Sequence, residues 1–231
     1  MTAHSPPDLP AVVIGGPPHA GKSVLTYSLT QALRVRDIDH YVVRAYPPDG
    51  EGDWFLAGAP AAVGPYRIKG AVSEAWLPRL CRDIRARHLP LIVDMGGLPT
   101  AEQEALLDAC THAILLTRDA ASHRDWAARV ARHRLALLAD LTSDLHGTNA
   151  LTDPGAPLRG VLAGLERPRD AGRPDDGARP GPAGGPAFDA LVDRLADLFG
   201  RAAVGLRRRH LEAAPVELAV DLRQLAHRLH V

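Results

Sequence analysis

Continuous apolar runs alternate with stretches of helical periodicity through the first two thirds of the chain. The apolar runs, five or six residues each, predict strands at residues 11–15, 40–45, 89–94 and 113–117, and two weaker strands at 135–140 and 159–163. Apolar positions at helical spacing predict helices at residues 22–36, 73–88, 100–109 and 121–134. Apolar strands separated by helices are typical of a parallel sheet that is covered on both faces. The pattern therefore predicts a three-layer α/β fold with a mostly parallel central sheet.

The pattern changes abruptly after residue 165. Residues 166–186 are dominated by Pro and Gly and contain almost nothing apolar larger than Ala, so we expect a disordered linker or loop there. Residues 187–204 return to helical periodicity and are expected to form the last helix of a core that spans residues 1–165. Residues 205–231 are expected to form a helical appendage, with an amphipathic helix beginning at Pro215. This helix either packs on its own chain or binds a partner. The partner is another protein or, in a homodimer, a second copy of the chain.

Composition narrows the possible partners. The 27 Lys and Arg residues balance 27 Asp and Glu residues, so no chain-wide field attracts a polyanion, and we do not expect direct binding of nucleic acid. No apolar run approaches the roughly 20 residues that cross a bilayer, and the N-terminus lacks the regions of a signal peptide. We therefore expect a cytoplasmic protein without membrane contact. Only two of the basic residues are lysines, Lys22 and Lys69.

A glycine-rich motif follows the first predicted strand and opens the first predicted helix. Residues 16–23 read GPPHAGKS and fit the pattern G-x-x-x-x-G-K-[ST] at every fixed position. In this pattern, backbone N–H groups and a helix N-terminus attract phosphates, Lys22 bridges the β- and γ-phosphates, and Ser23 places its hydroxyl on Mg²⁺. The residues expected to hold ATP or GTP are Gly16, Pro17, Pro18, His19, Ala20, Gly21, Lys22, Ser23, Val24 and Gly97. Because proline has no N–H group, the phosphate nest is expected mainly from residues 19–23.

A carboxylate ends the predicted strand at residues 89–94. Asp94 follows three apolar residues, and ligands of open α/β sheets collect at the carboxyl ends of such strands. We expect Asp94 to hold Mg²⁺ together with Ser23 and to be a catalytic residue with Lys22. Gly97 completes a D-x-x-G pattern, and its bare backbone either approaches the γ-phosphate as a switch or belongs to a flexible turn.

The loop after the predicted strand at residues 40–45 opens on the same rim as the phosphate motif. Arg44, Glu51 and Trp54 are candidates for binding a phosphoryl acceptor, and Asp53 or Glu51 is a candidate general base. The alternative is a solvated loop with Trp54 folded onto the core. Arg118 ends another strand, at the position where many P-loop proteins contact the nucleobase, and is a further candidate for binding substrate.

Several segments carry a resemblance that goes beyond the phosphate motif. The strings GGPPHAGKSVLTYSLTQAL, DHYVVRA, GEGDW, RHLPLIVDMGG and THAILLTRD, within roughly residues 10–200, resemble the P-loop NTPase module found with CRISPR-associated ring-nuclease proteins. The resemblance implies a role near type III CRISPR signalling, with a ring-nuclease protein or a cyclic oligoadenylate as partner. In the fused relatives the nuclease domain precedes the P-loop, whereas ten residues precede the first predicted strand here, so the resemblance does not carry the nuclease activity over.

Two classes of function remain open from the sequence. The first is an ATP-binding P-loop NTPase or kinase-like phosphotransferase that moves a phosphoryl group to water or to an acceptor. The second is a non-catalytic switch, in which the nucleotide controls binding of a protein partner through the C-terminal helix. The sequence suggests no role for Lys69.

Overall fold

The computed structural model describes residues 9–45, 75–165 and 183–213, and for 205–213 only the helical backbone. Its strands are β1 (Ala11–Gly15), β2 (Tyr41–Arg44), β3 (Leu91–Asp94), β4 (His112–Thr117), β5 (Ala136–Asp144), β6 (Ala150–Asp153) and β7 (Leu158–Ala163). Its α-helices are α1 (Lys22–Val35), α2 (Trp76–Arg85), α3 (Ala120–Arg132) and α4 (Pro186–Ala213), and a 3₁₀ helix spans Gln103–Ala109.

The strands form one seven-stranded sheet in the order β2-β3-β1-β4-β5-β7-β6. All neighbours pair in parallel except β6 and β7, which are antiparallel. The strand β1 lies between β3 and β4 and is buried along its whole length. This topology confirms the predicted α/β fold with a mostly parallel sheet.

Helices cover both faces of the sheet and make three layers. On one face, α1 and α4 pack through apolar residues such as Leu25, Leu29 and Leu195. On the other, α2, the 3₁₀ helix and α3 pack through residues such as Leu107 and Trp126. The apolar positions of β1 alternate between these two clusters, so its side chains contribute to both halves of the core.

The structure departs from the predicted elements in several places. The predicted helix at 100–109 is a 3₁₀ helix that begins only at Gln103. The strand β5 continues to Asp144, four residues beyond its predicted end, because it pairs with β7 over its second half. The edge strand β6 was not predicted, since its sequence ALTD has too few apolar positions to show a pattern and its pairing with β7 defines it.

The helix α4 is much longer than the predicted last helix of the core. It runs without interruption from Pro186 to Ala213, across the boundary predicted between residues 204 and 205. At about 1.5 Å per residue, its 28 residues extend for roughly 42 Å. Residues 166–182 and 214–231, which include most of the predicted linker and the helix expected from Pro215, lie outside the described residues. Among the helices described, none is both long and apolar enough to span a membrane.

A cluster of ion pairs joins the 3₁₀ helix to the end of α3. The carboxylate of Glu104 accepts hydrogen bonds from Arg129 Nε at 3.0 Å and Arg132 Nη1 at 2.9 Å, and it lies 3.3 Å from His133 Nε2. Burial disfavours the charge of Glu104 and is the largest influence on its pKa, but His133 and the two arginines together outweigh burial and lower that pKa. Arg129 and Arg132 thus have a structural role.

We predict that Glu104→Gln destabilises the fold at neutral pH and that this effect shrinks in acid. A group whose pKa is lowered by folding contributes stability above its ordinary value, here 4.5, and loses it as the pH falls through the folded pKa. Urea unfolding at neutral pH and in steps down to about pH 3 would measure the difference between wild type and variant. Glu102→Gln, at an exposed position two residues earlier, is the control. A difference that stays constant down to the lowest pH would contradict the prediction.

Candidate functional site

A cleft of about 680 Å³ opens at the carboxyl ends of the parallel strands. The residues that line it come from the phosphate motif, the loop after β3, and the ends of β2, β4, β5 and β7. They are Pro18, His19, Gly21, Lys22, Ser23, Val24, Arg44, Asp94, Met95, Gly96, Gly97, Leu98, Arg118, Ser143, Leu145 and Leu165.

The phosphate motif turns sharply from β1 into α1. A Cβ on Gly16 would collide with the carbonyl oxygen of Leu116 in β4, so this position requires glycine. At the other end of the turn, Gly21 precedes α1 with φ of 86°, and a Cβ there would lie 2.6 Å from Leu165 Cβ. His19, at the tip, is exposed and has φ of 59°. Gly16, Pro17 and Ala20 form the turn but do not line the cleft.

Lys22 places its ammonium group at the base of this turn. Its Nζ donates to the carbonyl oxygen of Gly16 at 2.9 Å and to that of Pro17 at 2.8 Å. Only 7% of the residue is exposed, yet it lines the cleft. A compact ammonium on a four-carbon stem suits this position, which a forked guanidinium would overfill.

Asp94 connects three elements at the rim. Its Oδ2 accepts a hydrogen bond from Ser23 Oγ at 3.0 Å and lies 3.9 Å from Nη2 of Arg44. In the sheet, Asp94 is paired with Ile14 of β1 on one side and with Arg44 of β2 on the other. The carboxylate, the hydroxyl and the guanidinium therefore meet at one point of the cleft.

The donor set at this point fits a magnesium ion. Mg²⁺ prefers oxygen ligands and keeps several waters, with one or two protein ligands and the substrate phosphates completing its shell. Ser23 Oγ and Asp94 Oδ2 are two oxygens of the required kind, 3.0 Å apart. The described part of the chain has no cluster of three or more His, Cys, Asp or Glu residues that would hold a cation without phosphate oxygens.

The two prolines of the motif contact the loop after β3. A Cβ on Gly97 would collide with the backbone nitrogen of Pro18 and would lie 2.7 Å from the carbonyl carbon of Pro17. The nitrogen of Pro18 that lacks a hydrogen therefore faces Gly97. The sequence predicts that Gly97 either approaches the γ-phosphate as a switch or belongs to a flexible turn. The structure shows that it packs against the phosphate loop itself.

The other half of the cleft contains residues that sequence reasoning missed. Ser143, Leu145 and Leu165 lie at or just beyond the ends of β5 and β7, and all three line the cleft. The sequence predicts the end of β5 at residue 140, and residues 143 and 145 are not among the predicted site residues. Arg118 does line the cleft, whereas the carboxylate of its neighbour Asp119 caps α3 by accepting from Ser122 N at 2.8 Å.

Three predicted residues lie outside the described residues. Asp53, proposed as general base, and Glu51 and Trp54, proposed to bind an acceptor, all fall in residues 46–74. Of the acceptor-binding candidates around that loop, the structure describes Arg44, the last residue of β2.

The topology and the site together define a class of protein. A parallel sheet, a G-x-x-x-x-G-K-S turn between a central strand and the first helix, and an acidic residue that ends the adjacent strand make this a P-loop NTPase fold. Among solved structures, the chain is similar to the septum site-determining protein MinD complexed with Mg-ADP from Pyrococcus horikoshii OT3, with 17% sequence identity and a TM-score of 0.46. The match covers 60% of this chain and 71% of that one. No protein-family model matches the sequence, and no curated protein matches it.

We predict that Gly97→Ala distorts the phosphate loop and lowers stability by about 1–3 kcal/mol, the usual cost of forcing an extra carbon into a packed position. The backbone of Pro18 cannot move aside as a flexible side chain would. Gly200→Ala in α4 is the matched control because a Cβ there meets nothing within 4 Å. Urea unfolding should show that the control is as stable as wild type or more stable by up to about 1 kcal/mol. Equal stability of the Gly97→Ala variant and wild type would show that the loops do not pack as described.

Proposed function

We propose that this protein binds ATP with Mg²⁺ in the cleft and is an NTPase or a kinase-like phosphotransferase. The observation that carries the proposal is the hydrogen bond between Ser23 Oγ and Asp94 Oδ2, beside the buried Lys22. The N-terminus of a helix, an ammonium group and two oxygen ligands for a cation then face the same space. Each of these groups stabilises a different part of a magnesium–triphosphate complex.

The strand order supports one orientation of the nucleotide. Asp94 and Arg44 lie on the β3 and β2 side of the phosphate loop, and Arg118, Ser143 and Leu165 lie on the β4, β5 and β7 side. A cation bound at Asp94 places the terminal phosphates on the β3 side. The base would then extend toward the leucines at the other end of the cleft, where apolar surface suits a purine ring.

We expect Lys22→Ala to reduce the stabilisation of the protein by ATP by about half or more. Charge-assisted hydrogen bonds are worth about 1.5–3 kcal/mol each, so losing the ammonium should weaken binding at least about tenfold. Thermal unfolding with and without Mg-ATP measures this, since a ligand at a hundred times its Kd adds about 2.7 kcal/mol of stability. Arg34→Ala, at an exposed position on the same helix, should respond to ATP as wild type does. If neither ATP nor GTP stabilises the wild-type protein, the proposal is wrong.

A second candidate function is a nucleotide-dependent switch without turnover. The contact between Gly97 and Pro18 favours it, because any shift of the phosphate loop on binding nucleotide is passed directly to the loop after β3. Leu98, the next residue, is 79% exposed and would move with that loop. In this alternative a protein partner, or a second copy of the chain, engages the C-terminal helix that the sequence predicts from Pro215.

Turnover separates the two candidates. For the enzyme, we expect labelled phosphate to be released from γ-labelled ATP, or transferred, at a rate that falls to background in Lys22→Ala. Asp94→Asn should lose turnover as well, because an amide oxygen holds Mg²⁺ more weakly than a carboxylate does. Binding of ATP by the wild type with background turnover would favour the switch instead.

A role in type III CRISPR signalling is supported by the sequence resemblance alone. If the resemblance extends to function, a cyclic oligoadenylate or a ring-nuclease protein should change the turnover or nucleotide affinity of this chain. Adding cyclic tetraadenylate and cyclic hexaadenylate to the same assay tests that part of the proposal separately. An unchanged rate and affinity would remove the signalling role and leave nucleotide binding intact.

A further inference from the structure

We propose that Arg44 is the residue with which the cleft distinguishes a nucleoside triphosphate from a diphosphate. The inference rests on the proposed function, and it gives Arg44 the terminal phosphate as its ligand. Arg44 is the last residue of β2 and lines the cleft. Its register partner in the sheet is Asp94, so both side chains start from the same level of the rim.

The position of Arg44 matches the end of a phosphate chain. The strand β2 is two strands away from β1, on the Asp94 side, which corresponds to about 10 Å at the usual strand spacing. A phosphate group held by the N–H groups of the loop lies close to β1. Only a further phosphate, extended toward Asp94, comes within reach of the Arg44 side chain. A diphosphate of the same nucleotide lacks that group.

The charge arrangement supplies a reason for Arg44 to change partners. Its guanidinium faces Asp94 Oδ2 at 3.9 Å, and the same oxygen accepts the hydrogen bond from Ser23. This oxygen is also the proposed ligand of Mg²⁺. A divalent cation at that oxygen repels the guanidinium, while the terminal phosphate brings new negative charge to the same side. The fork of N–H groups in arginine matches phosphate oxygens in pairs, which a lysine would not do.

The Arg44 side chain is more exposed than the carboxylate that it faces. Its exposed fraction is 28%, whereas that of the Asp94 side chain is 8%. The guanidinium is thus on the open side of the carboxylate and the Asp94 side chain is enclosed. Because Arg44 is anchored in a strand that pairs with β3, its backbone is held while the long side chain turns.

Binding of three ligand forms to three variants tests the inference. Calorimetry with Mg²⁺ would compare ADP with the non-hydrolysable β,γ-imido analogue of ATP. In Arg44→Ala we expect affinity for the triphosphate analogue to fall about tenfold or more, as for a lost arginine–phosphate contact, with affinity for ADP within about twofold of wild type. Arg44→Lys should recover only part of the preference. Adding inorganic phosphate with ADP should increase ADP affinity in wild type and not in Arg44→Ala.

Arg34→Ala is the control, since it removes an arginine from an exposed position of α1 that does not line the cleft. We expect it to leave the ratio of triphosphate to diphosphate affinity unchanged. Equal losses for both nucleotides in Arg44→Ala, or no loss for either, would overturn the inference while leaving nucleotide binding established. Wild-type protein that binds neither nucleotide would overturn the proposed function itself. Thermal unfolding of each variant without nucleotide shows whether Arg44→Ala retains its fold, and Arg44→Lys keeps the test valid if it does not.

Discussion

The end of β1 has room for backbone and no room for side chains, and the rest of the site depends on this constraint. A Cβ on Gly15 would lie 2.7 Å from the ring of Trp126, and one on Gly16 would collide with the carbonyl oxygen of Leu116. Side chains of α3 and the backbone of β4 pack directly against Gly15 and Gly16. The chain leaves the sheet after Gly15. It then enters α1 at Lys22, with the N-terminus of that helix above the carboxyl ends of the strands. The turn thereby brings Lys22 and Ser23, the first residues of α1, to the rim where Asp94 lies.

Charge in the cleft is organised around one carboxylate. Asp94 is almost enclosed, and it meets Ser23 from the helix after the turn and Arg44 from the outer strand. Interactions between charges strengthen where water is partly excluded, so a cation or a phosphate that enters must compete for the same few atoms. The proposed binding of magnesium and phosphate therefore involves the same atoms that join Asp94 to Ser23 and Arg44. The packing of Gly97 against Pro17 and Pro18 also joins the loop after β3 to the phosphate loop.

Most of the sheet could be predicted from local pattern, and the parts that could not have a common cause. Strands β1, β3 and β4 are continuous apolar runs because both of their faces are covered. The second half of β5 and all of β6 instead pair with β7. Residues of β5 alternate there between buried and exposed, and the edge strand β6 has no fully buried residue. A pattern of burial is weak where only one face is covered. Ser143 lies in the part of β5 that the prediction left out, and Leu145 lies just beyond it.

By itself, the sequence determined the phosphate turn, the acid that ends β3 and the order of alternating elements, because each depends on residues close together in the chain. Glycine, lysine and serine at fixed spacing, between an apolar strand and a helix, indicate the turn. Only the tertiary structure decided which strands are neighbours, and so which rim residues meet. The pairing of β2 with β3 puts Arg44 beside Asp94, fifty residues later in the chain. The approach of Gly97 to Pro18 likewise depends on β3 lying next to β1, a matter of packing that no local pattern contains.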